Sequence, residues 1–303
     1  MNNNEINFEN VSIIFSSCDA YKILWDDFFR LFKKYMPEIK CNIYGTVSYD
    51  YSFDCFNIKG NNYHGKDQSF STRLIKTLKM VKTDYVLFFL DDFYLTDYTD
   101  TEFLMKSISL INNNKKIKNI ILKDFISAHA RCDLRYNEDF MICRKKAPFR
   151  CTTQVSLFEK KYLLSLLRRG ESAWDFEMIG SYRAMKKNKL VLYRDDIHHN
   201  CFSYFDAGYV HKGCFNPLYD DFANTNNLIK HSIVKKIDPK RRTTKSNNLF
   251  ARIIRHIKYD LDIFNDTIYP FLSTYFTVFR KKTTFFPKYI HSLNRFPKSE
   301  EMK

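Results

Sequence analysis

The sequence predicts an α/β protein, a mostly parallel sheet flanked by helices and followed by a basic helical C-terminal extension. Three observations carry that prediction. Between Val11 and Leu122, short β-branched and aromatic runs alternate with segments whose apolar residues recur at helical spacing. One run, Tyr85–Leu90, is wholly apolar, as a strand covered on both faces must be. The charge is uneven: residues 226–303 carry 17 Lys/Arg against 6 Asp/Glu, most of the formal +15 of the 303-residue chain. The boundary follows from that shift, with residues 1–225 as the α/β domain and 226–303 as the extension.

Taken in order, Val11–Phe15 reads as a buried first strand that opens into the polar Ser16-Ser17-Cys18-Asp19. Leu24, Phe28, Leu31, Phe32 and Tyr35 then mark a helix stopped by Pro37. Ile39–Tyr44 is a second strand. Phe70, Leu74, Leu78 and Val81 line a second helix, with Asp67 or Ser69 able to cap it. After the strand Tyr85–Leu90 comes a helix ending at Ser107–Ile111, then a strand at Ile117–Leu122. Lys160–Arg169 reads as a helix halted by Gly170, and Leu190–Tyr193 as a short strand. Asp238–Asn248, rich in Lys and Arg, reads as a linker. Beyond it Ile253, Ile257, Leu261 and Phe264 form an amphipathic stripe.

Composition excludes several classes. At 45% hydrophobic and 27% charged residues the chain is globular. None of its eight cysteines forms a C-x-x-C pair, which argues against zinc ribbons and dithiol redox sites and suits buried thiols in a reducing compartment. Met1–Asn10 is polar, so no secretory leader is expected. The longest apolar stretches, Tyr85–Leu90 and Ile268–Phe279, fall short of the ~20 residues that span a bilayer.

Two acidic segments carry the chemistry. The first is Asp91-Asp92, delivered by the apolar strand to the carboxyl edge of the sheet, where open α/β sheets bind ligands. Hard divalent cations take oxygen ligands and bridge one or two carboxylates to substrate phosphates. Asp92 is therefore the candidate ligand for Mn²⁺ or Mg²⁺, with Asp91 beside it on the substrate. A plainer reading makes both aspartates a turn that caps the next helix. The second segment is Gly170-Glu-Ser-Ala-Trp-Asp-Phe-Glu177. Trp174 offers a face on which a sugar can stack, and Asp175 or Glu177 offers a base for an acceptor hydroxyl. The plainer reading is a helix start, with Ser172 as its cap and both acids favouring the positive end of the dipole. Farther on, Tyr209-Val-His-Lys-Gly213 places Lys212 where it could meet a diphosphate.

Together, residues 11–215 resemble bacterial glycosyltransferases of the GT-A nucleotide-diphospho-sugar-binding type, as used in capsule and lipopolysaccharide synthesis. The resemblance implies that Asp19 contacts the nucleoside and that Asp91 and Asp92 fill the Asp-x-Asp role toward ribose and metal. It further implies that Asp175 or Glu177 is the base and that a late-chain ligand such as His211 completes the metal shell; of the two acids Asp175, beside Trp174, is the preferred base. The family's Asp-x-Asp is here Leu90-Asp91-Asp92, which leaves the ligating aspartate open between the two.

The implied partners are a nucleotide-sugar donor and a saccharide or lipid-linked acceptor, with transfer by inversion. The expected location is the cytoplasm, at the inner face of the plasma membrane, which the basic extension would reach through its apolar stripe and flanking Arg252, Arg255 and Lys258. A metal-dependent nucleic-acid enzyme is the first rival. It finds no helix-turn-helix, zinc finger or aromatic RNA-binding strand in the sequence, so no nucleic acid is expected. The second rival is a non-catalytic sugar-binding scaffold.

Overall fold

The computed structural model describes residues 8, 10–36, 41–123, 132–147, 149–194, 200–205, 208–211 and 214–228. Apart from Asn226–Leu228, the expected C-terminal extension lies outside the described residues, and so do its linker and apolar stripe. Those three residues belong with the sheet domain: Arg30 donates to the Asn227 carbonyl at 3.2 Å and Lys34 to Asn226 Oδ1 at 2.9 Å.

The domain is built on one ten-stranded sheet. Its strands are β1 (Val11–Ser16), β2 (Ile43–Gly45), β3 (Tyr51–Phe53), β4 (Phe56–Lys59), β5 (Tyr85–Leu90), β6 (Ile117–Ile121), β7 (Cys132–Arg135), β8 (Phe140–Cys143), β9 (Ser156–Glu159) and β10 (Leu190–Arg194). A separate ribbon pairs β11 (Val210–His211) with β12 (Cys214–Phe215). The helices are α1 (Trp25–Tyr35), α2 (Phe70–Met80), α3 (Thr101–Asn113), α4 (Lys160–Leu166), α5 (Ala173–Asp175), α6 (Ser181–Lys186) and α7 (Asp220–Thr225). Across the sheet the strands run β3-β4-β2-β1-β5-β9-β6-β10-β8-β7.

The expected mostly parallel sheet is in fact mixed: four of its nine pairings are parallel and five antiparallel. The connections explain why. β3 and β4 are joined by Asp54-Cys55 alone, with Asp54 at φ 51°, and so short a turn reverses the chain. The four-residue turn between β7 and β8 does the same, tied by Asn137 Oδ1, which accepts from the Asp139 and Phe140 amides. β9 runs antiparallel between β5 and β6 and pairs with both.

β1 and β5 form the centre. Their register runs without a break from Val11↔Tyr85 to Ser16↔Leu90. Side-chain alternation splits β5 between two cores. Leu87 and Phe89 join Phe15, Phe28, Phe29 and Phe32 on one face, whereas Val86 and Phe88 join Ile14, Leu74 and Leu78 on the other. The expected caps also appear. Ser69 Oγ accepts from the Thr72 amide at the head of α2. The helix after β5 is capped by Asp100 and not by the aspartate pair, since Asp100 Oδ1 accepts from the Phe103 amide at 3.0 Å.

Candidate functional site

Topology places the site. From β1 the chain moves out to β2 on one side and returns to β5 on the other, and all three strands are parallel. The crevice beyond the carboxyl ends of β1 and β5 is thus a topological switch point, the usual ligand position in open α/β sheets.

Ser17 and Asp91 meet there. Ser17 Oγ donates to Asp91 Oδ2 and accepts from Trp25 Nε1 at 2.7 Å. The Ser17 amide donates to Thr46 Oγ1 at 2.8 Å, and that hydroxyl donates to the Ser17 carbonyl at 2.7 Å. Arg73 of α2 reaches across to the Ser17 and Thr46 carbonyls, so its guanidinium locks the ends of β1 and β2 together. Asp19 stands exposed just beyond, its Oδ1 accepting from the Ser48 amide at 2.9 Å.

The aspartate pair is electrostatically strained. Burial pushes the Asp91 carboxyl up to about 6, against the opposing pull of the Ser17 hydroxyl and the Arg73 charge. Asp92 is pushed well above the usual carboxylate range, by burial first and then by repulsion from Asp91. Asp92 Oδ1 is buried without a hydrogen-bond partner. A buried carboxylate oxygen left unpaired costs free energy that a cation would recover. Two adjacent carboxylates with a buried unpaired oxygen are oxygen donors of the kind that could hold a hard divalent cation. Among the described residues, no group of three or more His, Cys, Asp or Glu side chains forms a protein-only cage.

The late part of the chain returns to this pair. The Tyr209 amide donates to the Asp92 carbonyl at 2.7 Å. Gly208, at φ +70°, packs so close that a Cβ there would lie 2.5 Å from Asp92 Oδ2. Two stacked pairs hold the approach, Phe93 on Tyr204 at 4.4 Å and Tyr94 on Tyr209 at 4.2 Å. The strand carrying His211 begins immediately after this contact. The His211 side chain and all of Lys212 lie outside the described residues.

The second acidic segment also reaches the carboxyl edge. α2 links the two: Arg73 faces β1 and β2, while the first turn of the helix holds the other loop. Ser71 exchanges hydrogen bonds with the Glu171 backbone at 2.9–3.1 Å, and the Gly170 amide donates to Ser69 Oγ at 3.1 Å. Beneath them Glu171, fully buried, forms a two-pronged pair with Arg183 at 2.7 Å on each oxygen.

Asp175 and Glu177 are held differently from one another. Asp175 closes a capping box: its Oδ2 accepts from the Ser172 amide at 2.9 Å and the Ser172 hydroxyl at 2.7 Å. The helix-start reading of this segment is thus present in the structure. Glu177 lies in a π-helical turn, Phe176–Gly180, a local widening found frequently at functional sites. Its Oε1 accepts from Thr152 Oγ1 at 3.0 Å, the Thr153 amide at 2.7 Å and Thr153 Oγ1 at 2.8 Å. Trp174 beside them is 68% exposed, an unusual position for the largest apolar side chain.

Ser17, Thr46, Arg73, Thr152, Thr153 and Gly208 were not predicted. Ser17 and Gly208 had a signal in the sequence, one as the first polar residues after a strand and the other as a loop glycine. Thr152 and Thr153 had none.

No protein-family model matches the chain, and no curated protein matches its sequence. Solved structures with a similar arrangement include residues 1–349 of S. aureus TarS in complex with UDP, at 13% identity over 61% of this chain and 58% of that one, TM-score 0.42. They also include CMP:2-keto-3-deoxy-manno-octonic acid synthetase complexed with CTP, at 9% identity over 60% of this chain and 88% of that one, TM-score 0.36. A cytidylyltransferase from Leptospira borgpetersenii is 12% identical over 75% of this chain and 97% of that one, TM-score 0.35. The chain spans less than two thirds of the TarS structure's length.

Proposed function

We propose that the protein is a glycosyltransferase of the GT-A type, moving a sugar from a nucleotide-diphosphate donor to a hydroxyl of a saccharide or lipid-linked acceptor. The observation that supports this most is the pair Asp91-Asp92 at the switch point, with Asp92 Oδ1 buried and unpartnered beside a second carboxylate. Asp92, with Asp91, would hold Mn²⁺ or Mg²⁺, which when bound neutralises charge on the departing diphosphate. Asp19, beside exposed Tyr49, is the candidate contact for the nucleoside. His211 and Lys212 remain the late-chain candidates for metal and diphosphate.

On the acceptor side, Trp174 would stack against a sugar face. Of the two candidate bases we favour Glu177 over Asp175, which the sequence had favoured. The Asp175 carboxylate is engaged in its own helix start. Glu177 has one oxygen fixed by three donors, which orients the carboxylate. In this reading Glu177 accepts the proton of the acceptor hydroxyl as that oxygen bonds to the anomeric carbon. The bond to the diphosphate breaks with its electron pair leaving on the diphosphate oxygen, which gives inversion.

The test is a panel of nucleotide-sugars incubated with the protein and Mn²⁺ or Mg²⁺. Slow release of nucleoside diphosphate from one donor, abolished by EDTA and by Asp92→Asn, is expected. No turnover of any donor, together with cleavage of a nucleic-acid substrate, would replace this reading with the rival one.

A further inference from the structure

The opposite edge of the sheet has a character of its own. At the amino ends of the parallel strands β6 and β10, three segments distant in sequence converge: Lys115-Lys116, Arg144-Lys145-Lys146 and Lys186-Lys187-Asn188-Lys189. Lys116, Arg144, Lys145, Lys146, Lys186 and Lys189 are all exposed. No acidic residue occurs in these three segments.

Backbone contacts hold the three together. Arg150, 3% exposed, donates through one nitrogen to the Cys143 carbonyl at 2.6 Å and the Arg144 carbonyl at 2.8 Å, and through the other to the Lys189 carbonyl at 2.6 Å. The Leu190 amide donates to the Lys116 carbonyl at 3.1 Å. A buried guanidinium thus fixes two cationic turns side by side, and the start of β10 fixes the third. Gathering six like charges on one edge works against stability through self-repulsion. Two acids border the edge: Glu159 at the end of β9 is paired with Lys118, and exposed Asp84, just before β5, accepts from Asn10 Nδ2 at 3.2 Å and faces Lys115. The acids of the β7–β8 turn lie at the far end of β8, where Asp139 is engaged by Lys106.

We infer that this edge is a docking face for an anionic phospholipid surface. Its cations are mainly lysines, compact point charges on flexible stems that suit a laterally mobile layer of headgroups rather than one fixed bidentate ligand. The exposed large apolar side chains among the described residues are Tyr49, Tyr98, Leu134, Trp174 and Leu218, none of them in these segments. Tyr182, four residues before Lys186, is half-buried with Lys186 Nζ over its ring at 5.6 Å, so among the described residues these segments offer no exposed aromatic platform for stacking single-stranded nucleic acid. Docking here leaves the carboxyl edge, with Asp91 and Glu177, turned away from the lipid and open to substrate. The inference stands on the placement of charge and does not depend on the reaction proposed above.

The experiment is co-sedimentation of the full chain with phosphatidylcholine vesicles, with and without phosphatidylserine, at low and high salt. Two triple variants are compared at equal net charge. One is Lys145→Glu/Lys146→Glu/Lys189→Glu on the edge, and the other is Lys34→Glu/Lys59→Glu/Lys106→Glu elsewhere. Each cation near an anionic surface contributes about fivefold to partitioning, so the edge variant should bind phosphatidylserine vesicles at least ~100-fold more weakly. The other variant should stay within about threefold of the parent, and high salt should release the parent. A Lys→Gln version of the edge variant, with circular-dichroism melts of all proteins, separates lost binding from lost folding. Equal weakening of both variants, full binding by the edge variants, or binding of single-stranded DNA but not of vesicles would each overturn the assignment.

Discussion

Two pairs of carboxylates sit at the same edge of one sheet, and they are built in opposite ways. Asp91 and Asp92 terminate a buried strand. They repel one another, and one oxygen has no partner. Asp175 and Glu177 are just as buried, yet their oxygens receive amide and hydroxyl donors. In the first pair burial disfavours the ionised form of both carboxyls, and repulsion from Asp91 adds to it at Asp92. The second is preorganised before any ligand arrives. An oxygen without a donor marks a place where a ligand contributes to the structure, whereas an oxygen held by several donors marks a place where a side chain is aimed.

The sharpest way to test that contrast is Asp92→Asn. A Lewis-acid site is worth several kcal/mol, so donor turnover should fall by at least ~10³-fold. Because the change replaces a buried carboxyl whose ionised form is disfavoured with a neutral amide of the same shape, the melting temperature should hold or rise. A fall in both activity and melting temperature would mean that the Asp92 carboxylate is a structural element after all.

Next in size is Glu177→Gln set against Asp175→Asn. Loss of a general base costs about 10²–10⁴-fold in transfer, and the Glu177 variant should lose that much while keeping its affinity for donor. The Asp175 variant should lose less than about tenfold. If the order is reversed, the base is Asp175 and the threonine cradle is structural.

Gly208→Ala probes the contact between the late segment and the aspartate pair. Its positive φ costs a non-glycine residue about 1 kcal/mol, and the new methyl would collide with Asp92 Oδ2. We expect a drop of a few degrees in melting temperature and a larger proportional loss of activity at limiting metal than at saturating metal. Equal losses at both metal concentrations would separate Gly208 from the metal site.

The smallest expected effect is that of Ser172→Ala. Removing this cap should cost about 1 kcal/mol of stability. It should alter transfer only through the Asp175–Glu177 turn, so a thermal melt and a transfer rate on the same protein suffice. A kinetic loss beyond about tenfold would show that the Ser172–Asp175 box orients the base and not only the helix.

Much was legible in the sequence because it depends on neighbours along the chain. Tyr85–Leu90 had to be a buried strand, since six apolar residues in a row leave no polar face. Its abrupt end in Asp91-Asp92 had to lie at the edge of a sheet. Ser172 could be read as a cap because Asp175 follows at the spacing that closes a capping box. The charge contrast between residues 1–225 and 226–303 needs only counting. Tertiary structure alone decided the rest. A strand of four residues such as Ser156–Glu159 has no periodicity that tells its direction, so its antiparallel insertion between β5 and β6 depends on partners distant in sequence. Thr152 and Thr153 acquire a role only when that insertion brings them to Glu177, 25 and 24 residues away along the chain. Local patterns determine which segments become strands and helices. Which carboxylate is left unpaired and which is held by three donors follows from how those segments pair, because hydrogen-bond satisfaction is a property of the packed interior.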